Sequence, residues 1–358
     1  MTRAATGPPA EDGNSSVDPE SPARRRSTVK DVARLAGVSP MSVSRTIAGQ
    51  TVRPEIRERV LEAAATLGYH RNDNARRMRA GRGSGLIGVA ITNLANPYYA
   101  SFALGVEEVA ARQGLRTLIG STGEDLQRER QLVSDFVGRQ VEGLVLVPAG
   151  GAIEHLLPLA MGSTPLVLAS RTLEGVEADA VLLDDIGGAH EGTCALLNAG
   201  HRRIAYLGNV GSVSTGQRRF AGYTAAIESR GLLVDPALVK RGQQDVQAAQ
   251  AAMHGLLDLD DPPTAVFCAN NRNTIGALKA IGARMGSSQP PAVVPAIVGF
   301  DNFELAELMP TPVTIIDHDA HQMGRECARL LFSRMAPGGE QLPLRRIEMK
   351  TELVVIRT

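Results

Sequence analysis

The sequence predicts an α/β protein in which a small helical head precedes a larger two-lobed body of parallel sheets. Two observations carry this prediction. Two short amphipathic segments lie close to the N-terminus, and apolar runs alternate with helical segments from Leu86 onward. A chain of 358 residues, 43% of them hydrophobic, is long enough for more than one domain and for sizeable cores.

The N-terminal residues 1–26 are rich in Pro, Gly, Ser and acids, so we expect a disordered tail there. This stretch lacks the apolar core of a signal peptide, and no segment of the chain reaches transmembrane length. The three cysteines, Cys194, Cys268 and Cys327, lie in separate apolar runs without C-x-x-C spacing. We therefore expect a cytoplasmic protein with buried free thiols and no membrane partner.

The stretch STVKDVARLAGVSPMSVSRTIAG predicts two short helices joined by a tight turn. Thr28 and Asp31 form a capping-box-like start, and Gly37 supplies a left-handed stop. Ser39 caps the second helix, and Pro40 stands at its first position. Two helices around such a turn form a helix-turn-helix.

A third helix completes the predicted head, residues 27–71. It begins at Pro54 and ends at Gly68, with an inner stripe of Ile56, Val60, Ala64 and Leu67. Residues 24–82 hold fourteen basic and five acidic side chains, in a chain with no net charge. An ordinary α-hairpin is the commoner structure for two amphipathic helices, but the caps, turn, charge and third helix together favour a head that meets a polyanion.

Residues 72–84 are short, Arg-rich and nearly free of apolar side chains, which is typical of a solvated linker or of a helix that is marginal by itself. The body is expected to cover residues 85–358. Its apolar runs predict strands, and ligands of open parallel sheets bind beyond the carboxyl ends of the strands. The strand ends carry Asn93, Pro97, Tyr98, Tyr99, Ala149, Ser170, Asn209, Asn270 and Asp301.

The stretch TVKDVARLAGVSPMSVSRTIAG resembles the head of the lactose/galactose repressor (LacI/GalR) family of bacterial transcription regulators, and NPYYASF, GHRRIAYLG and IVGFDN resemble landmarks of its body. The resemblance covers nearly the whole chain from Thr28. It implies a periplasmic-binding-protein-like (type I) body with three chain crossovers, with a first lobe of about 85–185 plus 316–336 and a second of about 186–315 plus 337–358.

The same resemblance implies a DNA-binding regulator, and we expect a repressor controlled by a small polar, sugar-like effector between the lobes. A homodimer would bind a pseudo-palindromic operator, with a tetramer as an open alternative. Arg45 is the best candidate for a base contact, and Met78 matches the hinge residue that wedges into the minor groove. The expected DNA-binding residues are Thr28, Ser39, Pro40, Met41, Ser42, Ser44, Arg45, Arg53, Asn72, Arg76, Met78 and Arg79.

The expected effector-binding residues are Tyr98, Tyr99, Ala149, Ser170, Arg219, Gln244, Asn270 and Asp301, of which Arg219, Asn270 and Asp301 match the family's effector-gripping positions. Asn93 and Asn209 are interpreted as strand-end groups satisfied by loops. The pattern departs from the family at Ser170, Gln244 and Asn271, where acids or an aromatic are usual, so the pocket has fewer acidic acceptors.

A solute-binding protein of a transporter is the alternative that the body alone would allow, but the basic head and the absence of a signal peptide argue against it. An enzyme is not expected. GRGSG precedes a strand instead of following one, and no Walker A, G-x-S-x-G or H-E-x-x-H motif occurs. The seven His and three Cys show no metal-ligand spacing, so we expect no catalytic residues, metal or cofactor.

Overall fold

A computed structural model of the chain describes residues 27–69, 83–209, 213–286, 293–304, 306–308 and 312–356. Its contacts divide the chain into two compact units, Met1–Arg76 and Arg77–Thr358, which we term the head and the body. The expected tail (residues 1–26) and hinge residues 72–82, with Asn72, Arg76, Met78 and Arg79, lie outside the described residues. Within the described part, no helix is long and apolar enough to cross a lipid bilayer.

In its described residues, 27–69, the head has three helices, α1 (Val29–Ala36), α2 (Pro40–Ile47) and α3 (Pro54–Thr66). The local signals act as predicted. Thr28 and Asp31 form a capping box, Gly37 ends α1 in the left-handed conformation, and the Ser39 hydroxyl accepts from the Ser42 amide. The left-handed Gly37 and the Ser39 cap together fix the angle of the turn between α1 and α2.

The core of the head is made of small apolar side chains. Val32, Ala33, Ala36, Val43, Val60 and Ala63 are buried, and Val29, Val38, Ile47, Ile56, Ala64, Leu67 and Tyr69 pack around them. The guanidinium of Arg59 donates to the carbonyl oxygens of Ala36 and Gly37, which ties α3 to the end of α1. The carbonyls of a helix C-terminus lack partners within the helix, so this contact satisfies them.

The body alternates strands and helices. Its strands β1–β12 cover Leu86–Ile91, Arg116–Ser121, Leu144–Leu146, Leu166–Ala169, Asp179–Leu183, Ile204–Gly208, Val239–Arg241, Ala265–Cys268, Ala296–Phe300, Val313–Asp317, Arg346–Met349 and Glu352–Ile356. Its helices α4–α11 cover Pro97–Arg112, Leu126–Gly138, Pro158–Met161, Asp185–Asn198, Ser214–Ser229, Val246–Leu257, Asn271–Met285 and Ala320–Met335.

Among the described residues of the body, the strands form two sheets of six, one in each lobe. The first sheet has the order β11-β5-β4-β3-β1-β2 and is entirely parallel. The second has the order β12-β10-β9-β8-β6-β7 and is parallel except for the antiparallel edge strand β12. The apolar runs of the sequence did not reveal β7, β10, β11 and β12, of which β7 has only three residues and β11 is half-polar.

The chain crosses between the lobes three times, after β5, β10 and β11. The third crossover differs from the expected assignment of residues 337–358 to the second lobe. Strand β11 pairs with β5 in the first sheet, and only β12 returns to the second. The two strands are separated by only Lys350 and Thr351, so the sequence carries no loop signal at this exchange of sheets.

In each lobe, helices approach one another closely where glycines face the partner helix. A Cβ on Gly105 of α4 would stand 2.0 Å from the carbonyl oxygen of His321, and one on Gly324 of α11 would stand 2.0 Å from that of Phe102. Only glycine permits this backbone contact between α4 and α11 in the first lobe. Gly222 of α8 has the same role against α7 in the second.

The three cysteines agree only in part with the expectation of buried free thiols. All three cysteines are free, and Cys268 and Cys327 are buried, but Cys194 is partly exposed on α7. Burial raises the pKa of the Cys268 thiol to about 12.

Candidate functional sites

The second helix of the head presents an exposed polar face. Met41, Ser44 and Arg45 are exposed, with Met41 at 64% relative exposure, whereas Val43 and Thr46 are buried against the head. Residues three and four apart lie on the same side of a helix, so these three exposed side chains share one face. A helix with this distribution has the apolar side committed to folding and the polar side free for a partner.

The remaining predicted DNA contacts in the described head lie at helix starts. Thr28 and Arg53 are exposed and immediately precede α1 and α3, and Ser39 and Pro40 begin α2. Arg53 makes no side-chain cap at the start of α3. The start of α3 therefore combines backbone amides that have no side-chain cap with an exposed arginine, which suits a phosphate partner.

A cleft of about 380 Å³ opens between the two lobes of the body. Tyr98, Tyr99, Ser170, Arg219, Gln244, Asn270 and Asp301 from the predicted set all line it. Ala149 does not: its amide donates to the buried carboxylate of Glu129 beneath the loop after β3. Asn93 and Asn209, which the sequence assigned to loop contacts, also line the cleft.

Those two asparagines nevertheless have internal partners. The Asn93 Oδ1 accepts from the Ala95 amide at 2.9 Å, and the Asn209 Oδ1 accepts from the Asn270 Nδ2 at 3.1 Å. Asn270 also caps α10 through its Oδ1, which accepts from the Asn273 amide at 2.8 Å. These side chains shape the cleft wall while holding neighbouring loops and helices.

Arg219 is the most constrained charge of the cleft. It projects from α8, is 6% exposed, and donates from Nε to Asp185 Oδ1 at 2.8 Å and from Nη1 to the Ala269 carbonyl at 2.6 Å. Its guanidinium also pairs with both oxygens of Asp301, at 3.2 and 3.4 Å, and stands 3.6 Å from the ring centroid of Phe300.

Burial by itself would lower the pKa of Arg219, but the carboxylates of Asp301 and Asp185 outweigh it and raise that pKa. Burial raises the pKa of Asp185, against the opposing effect of Arg219. The result is a fixed positive group whose orientation is set from three sides.

Two non-glycine residues with positive φ stand at matching strand ends of the two lobes. Ser170 (φ 62°) follows β4, and Asp301 (φ 65°) follows β9. This conformation is disfavoured for residues with a Cβ, and such strain concentrates at ligand-binding sites. Both side chains are thereby aimed into the cleft from opposite lobes.

Tyr98, which lines the cleft, packs against aromatic rings and a methionine sulfur. The Tyr98 hydroxyl lies 3.5 Å from the Met323 sulfur, and its ring meets those of Tyr99 and His318 edge-on. Burial lowers the pKa of His318, whose Nε2 lies 3.8 Å from Asp301 Oδ1. Neither ring nitrogen of His318 has a hydrogen-bond partner among the described residues.

The lobes are joined across the cleft by an amide clasp, formed by Asn96 and Asn271. The Asn96 Nδ2 donates to Asn271 Oδ1 at 3.1 Å, and the Asn271 Nδ2 donates back to Asn96 Oδ1 at 2.9 Å. Both residues are buried, at 7% and 2% exposure, and Asn271 also donates to the Asn302 carbonyl. The clasp is an interlobe contact that the sequence reading did not anticipate.

The sequence reading also missed four charged lining residues, Glu124, Arg128, Arg171 and Arg272. Arg171 is 5% exposed and binds both oxygens of Glu124, at 2.6 and 2.8 Å. Each of the four follows a strand end by two to seven residues. The sequence prediction considered only residues at the ends of the strands, whereas these four lie further along the segments that follow. Among the described residues, no group of His, Cys, Asp and Glu is arranged to hold a metal ion.

Comparison with known proteins agrees with this architecture. Residues 28–72 match the bacterial regulatory proteins of the lacI family, and residues 193–358 match a periplasmic binding protein-like domain. The HTH-type transcriptional repressor CytR of Escherichia coli (strain K12) is 30% identical over 309 residues, which cover 86% of this chain and 89% of CytR. The regulator CelR of Thermobifida fusca is 33% identical over 344 residues, covering 93% and 98%.

Solved structures agree as well. A complex of the transcriptional regulator CelR with cellobiose is 31% identical, has a TM-score of 0.67, and covers 93% of this chain and all of that one. The Lac repressor dimer bound to operator and the anti-inducer ONPF has a TM-score of 0.70 at 22% identity, covering 93% of this chain and 98% of its own, and shows the fold alone.

A helix-turn-helix head with an exposed polar helix face, followed by a two-lobed body with a polar cleft, defines a DNA-binding transcriptional regulator. The chain belongs to the LacI family of bacterial regulatory proteins. The members it matches are regulators and not enzymes. The match to the DNA-binding head also disfavours the alternative of a solute-binding protein.

Proposed function

We propose that this regulator is a cytoplasmic repressor that binds a pseudo-palindromic operator as a homodimer and is controlled by a small sugar-like ligand in the interlobe cleft. The observation that carries the proposal is the cleft, where Arg219 and Asp301 of the second lobe converge with Tyr98 of the first. A guanidinium and a carboxylate held together offer donors and acceptors to the hydroxyl groups of a polyol.

Within the head, we assign Arg45 to a base edge, because Arg to guanine is the commonest specific contact. Met41, Ser42 and Ser44 would contact neighbouring bases or backbone, and Thr28, Ser39, Pro40 and Arg53 would contact phosphates. For the hinge, we keep the expectation that Asn72, Arg76 and Arg79 contact DNA and that Met78 acts as a minor-groove wedge.

Control requires that the ligand bind two states of the protein with different affinity. A ligand that touches both lobes stabilises one interlobe angle, and by reciprocity the operator must change ligand affinity by the same factor as the ligand changes operator affinity. The cellobiose complex of CelR is a precedent for a sugar ligand in a relative.

The experiment is selection of an operator from random duplexes by the full-length protein, followed by titration of that operator with and without neutral sugars. We expect one sugar to change operator affinity, and Asp301→Asn to abolish the response, because the substitution replaces an acceptor with a donor beside Arg219. A variant that responds with unchanged sugar affinity would place the ligand elsewhere. Failure to select any operator would refute the regulator function itself.

A further inference from the structure

We propose that the ligand of the cleft carries an anionic group, a phosphate or a carboxylate, held between Arg128 of the first lobe and Arg272 of the second. This inference rests on the proposed function, because it concerns the ligand of the same cleft. The starting observation is a charge imbalance: four arginines line the cleft, against the carboxylates of Glu124 and Asp301.

Two of the four arginines are already neutralised. Arg171 binds Glu124 through two hydrogen bonds, and Arg219 binds Asp301 while also pairing with Asp185 behind the wall. The remaining two, Arg128 and Arg272, form no ion pair or side-chain hydrogen bond within the part of the chain that the structure describes. The exposed Asp125 lies close enough to Arg128 for the two charges to interact, but its Oδ1 accepts from the amides of Gln127 and Arg128 in capping α5.

Helix stability does not account for these two positions. Arg128 is the third residue of α5 and Arg272 is the second of α10, so both cations stand in the first turn of a helix. The partial positive charge of a helix N-terminus disfavours a cation there and favours an anion. Two arginines at such positions, one from each lobe, are therefore explained by a bound negative charge.

The neighbouring backbone adds to the positive potential. The start of α8, marked by Thr215 and Gly216, opens on the same cleft, and its N-cap residue Val213 offers no side-chain cap. The Nε of Arg272 is buried without a partner among the described residues, although the residue as a whole is half-exposed. A phosphate or carboxylate supplies several acceptor oxygens, which match guanidinium donors in pairs.

The ligand we infer is therefore a polyol with an anionic end. Its hydroxyl groups would meet Arg219, Asp301 and Ser170 at the strand ends, and its anion would meet Arg128 and Arg272. Because the two arginines belong to different lobes, an anion bound by both would favour the interlobe angle that brings them together.

The test is calorimetric titration of the full-length protein with matched probes at one ionic strength. Each of a panel of common aldoses is used as the neutral sugar, as its terminal phosphate ester and as its sugar acid, with inorganic phosphate as a further probe. We expect at least one anionic form to bind about tenfold or more tightly than its neutral sugar. Preference for the ester or the acid identifies the anion.

Variants assign the effect to the two arginines. Arg128→Gln and Arg272→Gln should each weaken the anionic probe by about tenfold while leaving the neutral sugar unchanged. The matched controls are Arg130→Gln on α5, whose side chain pairs with Glu154, and Arg284→Gln on α10, whose side chain pairs with Asp258. Both controls should bind the anionic probe like the wild type.

The proposal is wrong if no anionic probe binds more tightly than its neutral counterpart, including the case in which none binds. It is also wrong if the Arg128 and Arg272 variants match their controls. In either case a neutral sugar that still alters operator affinity would leave the proposed function intact, so the two failures are distinguishable.

Discussion

Arg45 is the residue to which we assign the base contact of the proposed DNA-binding face. It is exposed beside Met41 and Ser44, while its helical neighbours Val43 and Thr46 hold α2 in the head. We expect Arg45→Ala to weaken binding to the selected operator by about 1–3 kcal/mol and binding to random DNA much less. Competition titrations with both duplexes measure this difference. An equal loss on both would mean that Arg45 contacts only phosphate.

For single residues, the sequence predicts a structural role when that role depends only on residues nearby in the chain. Gly37 and the capping pair of Thr28 and Asp31 were predictable, because a cap or a left-handed stop depends on neighbours within a few positions. Arg272 and the amide clasp were not predictable. Asn96 and Asn271 are 175 positions apart, and only the packing of two lobes makes them partners.

Among elements, the contact of α4 with α11 sets the closest helix approach of the first lobe. We expect Gly105→Ala to lower the free energy of unfolding by about 1–3 kcal/mol, because the new methyl group would overlap the His321 backbone, which cannot rotate away. Urea denaturation of the full-length protein followed by circular dichroism provides the measurement.

Gly282→Ala on α10 is the matched control. A Cβ at Gly282 would meet nothing within 4 Å, so the same substitution should stabilise the protein by about 0.5–1 kcal/mol through helix propensity. If both variants shift the transition in the same direction, the steric explanation for Gly105 fails.

The elements themselves were predictable to the extent that their residues are apolar. Eight strands show as apolar runs, whereas β11 places polar residues at alternate positions and β12, although apolar after Glu352, lies at a sheet edge with most of its residues exposed. The pairing of β11 with β5 is a choice between two edges of similar chemistry, and it is settled by the path of the chain after α11. Such a choice leaves no mark on local composition.

For the whole molecule, the second crossover places a histidine between the lobes. His318 faces Asp301, Asp317, Asp319 and Arg219, and burial lowers its pKa despite the three carboxylates. The unfolded chain therefore takes up a proton before the folded protein does. Stability is fully present above the unfolded pKa of about 6.5 and falls as the pH drops below it, by at most about 1.4 kcal/mol per pH unit.

We expect His318→Phe to reduce this acid sensitivity, because a ring of similar size replaces the titrating group. The difference between urea midpoints at pH 7.5 and pH 5.5, compared between wild type and variant, isolates the contribution of His318. His321→Gln, at a half-buried position on α11 beside Glu108, removes a different imidazole and serves as the comparison. If wild type and His318→Phe change equally, another group controls the acid response.

The amide clasp has a consequence for a cell whose internal salt content varies. Binding of a protein to DNA releases counterions and weakens steeply as salt rises. The clasp between Asn96 and Asn271 contains no formal charge, so salt does not screen it as it screens an ion pair. An osmotic shock that loosens the head from DNA would thus leave this interlobe contact unchanged.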